Sequence, residues 1–357
     1  MDKTLVIALD AMGGTGAPRS VVEAAAKTCL RYDDAAFILY GDEAKLIPLL
    51  NKFSVLKPRC TIVHTEDTVL DDDKPSVALR QGKTSSMRLA IDAVKEGKAT
   101  AVVSAGNTGA LMAIAKIVLR TLDGIDRPAI VTPIPTMIGK TVMLDLGANV
   151  ECSANNLFQF ALMGNAFAKV VLGHNNPTIG LLNVGSEESK GNDTVKAAAV
   201  LLKETKLPLN FTGYVEGSDI AEGTVDVVVT DGFTGNIALK TAEGTAKTCR
   251  NFLRQAFTDS LLARIGYLLV SRSLKKAFNK LDGRLYNGAM LVGLNGIVVK
   301  SHGGTDAIGF ANAIGVAIEL ARHGINDKII EEVRLSQDLS PSMPPSTPSL
   351  DDTIKIA

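Results

Sequence analysis

The chain has 357 residues, 46% hydrophobic and 21% charged, with lysine plus arginine equal to aspartate plus glutamate at 38 each. That profile belongs to a globular protein with a large core and excludes a disordered chain. The even charge balance, the 4% aromatic content and the absence of tryptophan argue against a nucleic-acid partner, which calls for a basic excess and stacking platforms.

In chain order, short apolar, β-branched runs alternate with helical patterns. The strand candidates are Thr4–Asp10, Ala36–Tyr40, Cys60–His64, Ala99–Ser104, Ala129–Pro133, Thr141–Asp145, Thr178–Asn183, Leu209–Tyr214, Val225–Thr230 and Ile297–Lys300. Between and after them, helical spacing covers Ala17–Arg31, Ser85–Lys95, Gly109–Leu122, Asn155–Leu172, Thr194–Glu204, Gly235–Ala256 and Asp306–His323. This β–turn–α rhythm predicts an α/β fold, a mostly parallel sheet with helices on both faces, built as a two-lobed module over residues 1–335. Two segments break the rhythm. Arg250–Arg284 carries eight basic residues against two acidic ones, and Leu253, Phe257, Leu261, Leu262, Ile265, Leu268 and Leu269 recur at three- and four-residue spacing, a basic amphipathic helical pattern. Residues 336–357 are rich in proline and serine, which predicts a disordered tail.

The four cysteines, Cys29, Cys60, Cys152 and Cys249, form no C-x-x-C pair, so neither a zinc site nor a disulfide framework is expected. The opening MDKTLVIALDAMGG lacks a signal peptide's charged and long apolar regions, and no run reads as a spanning helix of about 20 apolar residues.

Six loop motifs stand out: Asp10–Pro18 (DAMGGTGAP), Lys74–Met87 (KPSVALRQGKTSSM), Ser104–Ala113 (SAGNTGALMA), Asp145–Asn149 (DLGAN), Asn183–Asn192 (NVGSEESKGN) and Asp231–Asn236 (DGFTGN). Most sit where a strand gives way to a helix. Small residues there let backbone N–H groups approach an anion, and the helix N-terminus adds positive potential. SAGNTGA is the clearest phosphate cradle: Ser104, Asn107 and Thr108 offer side-chain donors beside the backbone of Gly106 and Gly109. Lys190, on a Gly-flanked loop after a strand, suits a phosphate dianion or a developing negative charge. His302, at a strand end in VVKSHGG, is a further candidate. Against a nucleotide site, Arg19 stands where the third glycine of G-x-G-x-x-G belongs, and Val77 and Ile134 stand where the two partial P-loops need their first glycine. No G-x-S-x-G elbow is present, and His64, His174, His302 and His323 show no metal-ligand spacing.

Together with Tyr286–Asp306 (YNGAMLVGLNGIVVKSHGGTD), these motifs resemble the PlsX family, bacterial phosphate acyltransferases of phospholipid synthesis, over about Thr4 to His323. Each motif alone is weak; seven in this order are specific. One departure is Thr15, where family members usually carry Asp. The resemblance implies a three-layer α/β/α fold like that of isocitrate and isopropylmalate dehydrogenases, also shared with phosphate acetyltransferases. It implies a homodimer, cytoplasmic and peripherally held at the inner face of the membrane, where an integral acyltransferase consumes the product. It implies conversion of acyl-[acyl carrier protein] and inorganic phosphate to acyl phosphate and free carrier protein. Lys190 and Asn236 match the family's catalytic positions. The chemistry needs neither metal nor organic cofactor: phosphate is already an anion, and a thiolate leaves readily because a free thiol has a pKa of about 8.5. Three rivals remain open: a β-decarboxylating dehydrogenase, which needs clustered metal-binding aspartates; a non-catalytic phosphate or acyl-carrier binding protein; and a short-chain phosphate acetyltransferase using coenzyme A.

Overall fold

The computed structural model describes residues 5–279 and 282–339. Leu5–Asp10 (β1) leads into α1 (Arg19–Cys29), then β2 (Ala35–Gly41), α2 (Glu43–Leu50), β3 (Cys60–His64), α3 (Pro75–Gln81), α4 (Ser86–Lys95), β4 (Ala101–Ser104) and α5 (Thr108–Leu119). Next come β5 (Ala129–Pro135), β6 (Lys140–Leu144), α6 (Ala154–Val171), β7 (Thr178–Leu182), α7 (Asp193–Glu204), β8 (Asn210–Val215), α8 (Gly217–Glu222) and β9 (Val227–Val229). The described residues close with α9 (Gly232–Thr258), α10 (Leu261–Asn279), β10 (Ala289–Val292), β11 (Ile297–Lys300), α11 (Ala307–Arg322) and α12 (Ile325–Leu339).

All the strands pair into one sheet in the order β3-β2-β1-β4-β11-β10-β5-β6-β9-β7-β8. Its central strands read as continuous apolar runs because both faces are covered. Ile7, Ala8 and Leu9 of β1, Ala101 to Val103 of β4 and Val227 to Val229 of β9 have no exposed surface. One face packs Phe37, Phe160, Phe167 and Phe310; the other packs Ile91, Leu111, Met143 and Val298. The first core layer reaches from β3 to β8 and the second from β2 to β8.

Most neighbouring strands are parallel, but β11–β10, β10–β5 and β5–β6 are antiparallel. Three reversals in a row leave β6, β9, β7 and β8 running opposite to β1, β4 and β11. The carboxyl ends of β1, β4 and β11 therefore lie along one edge of the sheet, called here the first edge. Those of β6, β9 and β7 lie along the opposite, second edge. The parallel strands were legible in the sequence; β10 was not, because four residues between glycines carry too little periodicity.

Within the segment 250–284, residues 250–279 hold the end of α9 and all of α10 rather than one continuous helix. The chain breaks after Thr258, whose hydroxyl back-bonds to the carbonyls of Arg254 and Gln255, and it restarts where Ser260 Oγ accepts from Ala263 N at 3.1 Å. Beyond Lys240, α9 leaves the sheet and pairs with α10 as a projecting hairpin that bares Phe252, Leu261, Leu262, Leu268 and Leu269. Among the described residues no helix is long and apolar enough to cross a membrane. Of the tail expected at 336–357, residues 336–339 belong to α12 and the remainder lies outside the described residues.

Helix α6 seats on the sheet at Gly164, where a Cβ would lie 2.7 Å from Val227 Cγ1 and 2.9 Å from Leu144 Cδ2. Gly164→Val should therefore lower stability by about 1–3 kcal/mol through overpacking. An unchanged urea midpoint would show that the α6 contact is looser than described.

Candidate functional site

The first edge is organised by a buried carboxylate. Asp10 closes β1 and accepts from Ser86 Oγ at 2.6 Å, Ser104 Oγ at 2.6 Å and Met12 N at 3.3 Å. Burial pushes its pKa up, against the lowering influence of these donors. Ser104 Oγ in turn accepts from Gly106 N at 3.1 Å, which sets the turn after β4. Gly13 must be glycine: a Cβ there would lie 2.7 Å from Gly106 N, so the loops after β1 and β4 touch backbone to backbone.

The loop after β11 locks onto the same cluster. Thr15 donates through both N and Oγ1 to Gly303 O at 3.0 Å, so its backbone and hydroxyl together join two loops 288 residues apart. Asn287 donates to Ser301 Oγ and Gly309 O at 2.8 Å and accepts from His302 N at 2.9 Å. His302 is exposed, and its Nδ1 accepts from Gly304 N at 3.1 Å, while its Nε2 has no partner among the described residues. Lys300, half-buried at the end of β11, donates from Nζ to Ser301 O at 2.5 Å and Ala105 O at 3.3 Å. Burial pulls its pKa down to about 8, with Asp71 and Asp10 pulling the other way and Lys240 adding to the depression.

Of the three expected side-chain donors in the cradle, two are engaged. Ser104 serves Asp10. Asn107 caps α5 by accepting from Ala110 N at 3.0 Å, while its Nδ2 holds the carbonyls of Asp71 and Asp73 at 2.9 and 3.0 Å. The exposed Thr108 hydroxyl and the N–H groups of Thr108 and Gly109 have no partner among the described residues. The cradle at Ser104–Gly109 is thus a backbone device with one free hydroxyl. The shallow groove beside it, about 410 Å³, is lined by Thr15, Arg19, Ser20, Thr305 and Asp306.

The second edge repeats the design. Asp145 follows β6, is fully buried, and accepts from Ile130 N at 2.9 Å, Gly147 N at 3.2 Å, Ala148 N at 3.0 Å, and Asn149 N and Nδ2 at 2.8 and 2.9 Å. Its pKa, too, is pushed up by burial. Asp231 caps α9 by accepting from Thr234 N at 2.8 Å. Gly235 has no room for a Cβ, which would fall onto the Asp145 carbonyl, and Asn236 packs beside Gly147. Lys190 is exposed on the neighbouring loop, closed by Asn183 Nδ2 donating to its carbonyl at 3.3 Å. The side chains of Lys190 and Asn236 have no hydrogen-bond or ion-pair partner among the described residues.

Lys190 and Asn236 therefore start from one edge of the sheet, and Ser104–Gly109 and His302 from the other. Helix α9 is what connects them. It starts at the second edge and crosses the face, so that Lys240, one turn past Asn236, comes within electrostatic reach of Lys300. Lys300, Lys240 and the two buried aspartates were not singled out as site residues in the sequence. Asp10 and Asp145 head two of the loop motifs and Lys300 stands in VVKSHGG, so the signal for these three was their place in the motifs. Among the described residues no group of three or more His, Cys, Asp or Glu is placed to hold a metal ion.

Comparison with known proteins gives a consistent pattern. A family model described as fatty acid synthesis protein matches residues 5–328. A protein named phosphate acyltransferase from Rhodospirillum rubrum is 55% identical over 354 residues, 99% of this chain and 100% of that one. Its namesake from Rhodospirillum centenum is 59% identical over 333 residues, 93% of this chain and 94% of that one. Among solved structures, a phosphotransacetylase from Streptococcus pyogenes aligns with a TM-score of 0.59 at 19% identity, over 90% of this chain and 95% of that one. The EutD phosphotransacetylase from Staphylococcus aureus gives 0.55 at 18% identity, over 93% and 94%. At these identities the likeness is one of fold, and it agrees with the α/β architecture expected from the sequence.

The raised pKa of Asp10 has a testable sign. A carboxyl whose folded pKa exceeds its unfolded value of 3.8 gives stability that is complete below that value and is lost as pH rises through the folded pKa. Asp10→Asn cannot ionise. Urea titrations from about pH 4 to 8 should show the wild type losing stability relative to this variant as pH rises. Parallel curves would mean that Asp10 folds without a shifted pKa.

Proposed function

The chain belongs to the fatty acid synthesis protein family, the PlsX family that its motifs resemble, and on that premise we propose that it transfers a fatty acyl group from acyl-[acyl carrier protein] to inorganic phosphate. The observation that carries this reading is 55% identity to a phosphate acyltransferase across almost the full length of both chains. A phosphate oxygen attacks the thioester carbonyl, forming a C–O bond and a tetrahedral oxyanion. The oxyanion collapses, the C–S bond breaks, and the thiolate leaves and takes up a proton. Acyl phosphate and free carrier protein are the products. The carrier's thiolate is stable enough to leave unaided, so the protein's tasks are to bind, orient and stabilise negative charge.

Lys190 and Asn236 are the residues we assign to that stabilisation. Their unpartnered side chains sit on adjacent loops at the second edge, an ammonium and an amide both able to donate to an oxyanion. The free donors at the start of α5, with His302 nearby, are assigned to phosphate. This site calls for no metal and no organic cofactor. Lys190→Ala and Asn236→Ala should fold normally and each lose at least about 10²-fold in phosphate-dependent thiol release from acyl-carrier protein, the usual cost of deleting one charge-stabilising donor. Near-wild-type turnover in both would remove them from the site.

We further propose that the protein works as a homodimer in the cytoplasm and rests on the inner face of the cell membrane through the α9–α10 hairpin. What supports this is the exposure of Leu262 at 81%, Leu268 at 73% and Leu269 at 83%, on a segment rich in arginine and lysine. Such helices lie in the interface, apolar face in the acyl boundary and basic groups on anionic headgroups. The arrangement shortens the path of a lipophilic, hydrolysable product to an integral acyltransferase that consumes it. Replacing Leu268 and Leu269 by Glu should abolish sedimentation with anionic liposomes and leave thiol release and dimer mass intact. Persistent liposome binding, or dissociation to monomers, would assign the stripe to packing between copies instead.

A further inference from the structure

Lys300 is a half-buried ammonium without a counter-ion. Its Nζ donates to two carbonyls, Ser301 O at 2.5 Å and Ala105 O at 3.3 Å, and among the described residues no carboxylate lies within ion-pair distance of it. An ammonium withdrawn from water and left unpaired is costly unless an anion joins it. Two of its three N–H bonds are directed at the loops after β4 and β11, and the third is available. The carbonyl it holds, that of Ala105, stands three residues before Thr108, where α5 begins with free N–H groups and a free hydroxyl. Ala105 and Gly106 pack against Gly13 and Gly14, while the loop after β11 runs on through Gly304, which lines the groove of about 410 Å³.

We propose that Lys300 is the cation that binds the inorganic phosphate co-substrate, with the Thr108 hydroxyl and the N–H groups of Thr108 and Gly109 as the companion donors. The proposal rests on the acyl-transfer reading and gives its phosphate subsite a charge, which no residue of the Ser104–Gly109 loop itself provides. The groups facing Lys300 set its behaviour: Asp10 from β1, Asp71 from the segment before α3, Lys240 from α9, and the ends of β4 and β11 as neutral acceptors. Asp10 already serves two hydroxyls and two backbone N–H groups, and Asp71 is exposed, so neither neutralises the ammonium by contact. A bound dianion would.

The pH dependence follows from the free ammonium, whose pKa lies at about 8. Above that pH the unliganded site loses its charge while free phosphate is already almost wholly the dianion. The Michaelis constant for phosphate should then rise about tenfold for each further pH unit until the pKa of the liganded site is reached.

The test uses the full-length protein and inorganic phosphate. Lys300→Met should raise the KM for phosphate, and the Kd for phosphate alone by titration calorimetry, at least about tenfold, the scale of one charged hydrogen bond. The KM for acyl-carrier protein and the kcat at saturating phosphate should stay within about threefold. Lys300→Arg should recover part of the affinity and abolish the inflection near pH 8, because guanidinium does not titrate there. A phosphate KM unchanged in Lys300→Met overturns the proposal. So does a parallel fall in kcat, both KM values and melting temperature, which would make Lys300 a tether of the two loops and nothing more. If the Met variant does not fold, the wild-type profile decides: a phosphate KM flat from about pH 7.5 to 9.5 is equally fatal. A wild type that binds phosphate with the expected pH dependence but releases no thiol would refute the acyl-transfer reading and leave the anion site standing.

Discussion

Everything about the placement of the candidate residues follows from three antiparallel pairings in the middle of the sheet. Had β10, β5 and β6 all run with their neighbours, every Gly-rich loop would open onto one edge, as in an ordinary doubly wound fold. Because they do not, the loops after β1, β4 and β11 open on one side and those after β6, β9 and β7 on the other. Helix α9 then becomes the element that matters. It is anchored by Asp231 and Gly235 at the second edge, passes Asn236 and Lys240 over the sheet, and only then leaves the body of the protein.

Each edge is stabilised in the same way. A strand ends in an aspartate that is withdrawn from water, and the loop beyond it wraps back so that hydroxyls and N–H groups satisfy the carboxyl oxygens. Burying such a group costs several kcal/mol unless its hydrogen bonds are made, and leaving one donor out exposes most of that cost. The loops are thereby held in one conformation. Ser104 and Asn107, which look like ligand donors in the sequence, turn out to be the carpentry of the cradle. The donors left over are backbone groups at the start of α5 and one threonine hydroxyl.

The parallel strands and long helices were legible in the sequence because burial on both faces imposes continuous apolar runs, as in LVIALD and VVV, and because helical spacing marks the helices between them; the caps Asn107, Ser153, Asn192 and Asp231 are what the structure adds. The short strand Ala289–Val292 was invisible, since what makes it a strand is its two neighbours rather than its own pattern. The three antiparallel reversals were invisible for the same reason: pairing is a tertiary fact. Among the candidate residues, those on recognisable loops could be named, and Lys190 and Asn236 were singled out by family resemblance. Lys300 could not, because its neighbours Ala105, Asp71 and Lys240 lie between 60 and 229 positions away and only the fold assembles them.

The interleaving of the chain's two ends bears on how the protein is made. Strand β4 pairs with β1 on one side and with β11 on the other, and α11 packs against α1, with Arg322 bonded to Asp34 across 288 residues. A nascent chain emerging from the ribosome can assemble β1 to β4 early, but the open side of β4 has no partner until residue 300 has been synthesised. For most of translation that half of the molecule presents a bare apolar strand with unpaired backbone groups, the surface on which chains stick to one another. Slow folding is expected from so many distant pairings, and the stretch of synthesis between β4 and β11 is where a chaperone would have the most to shield.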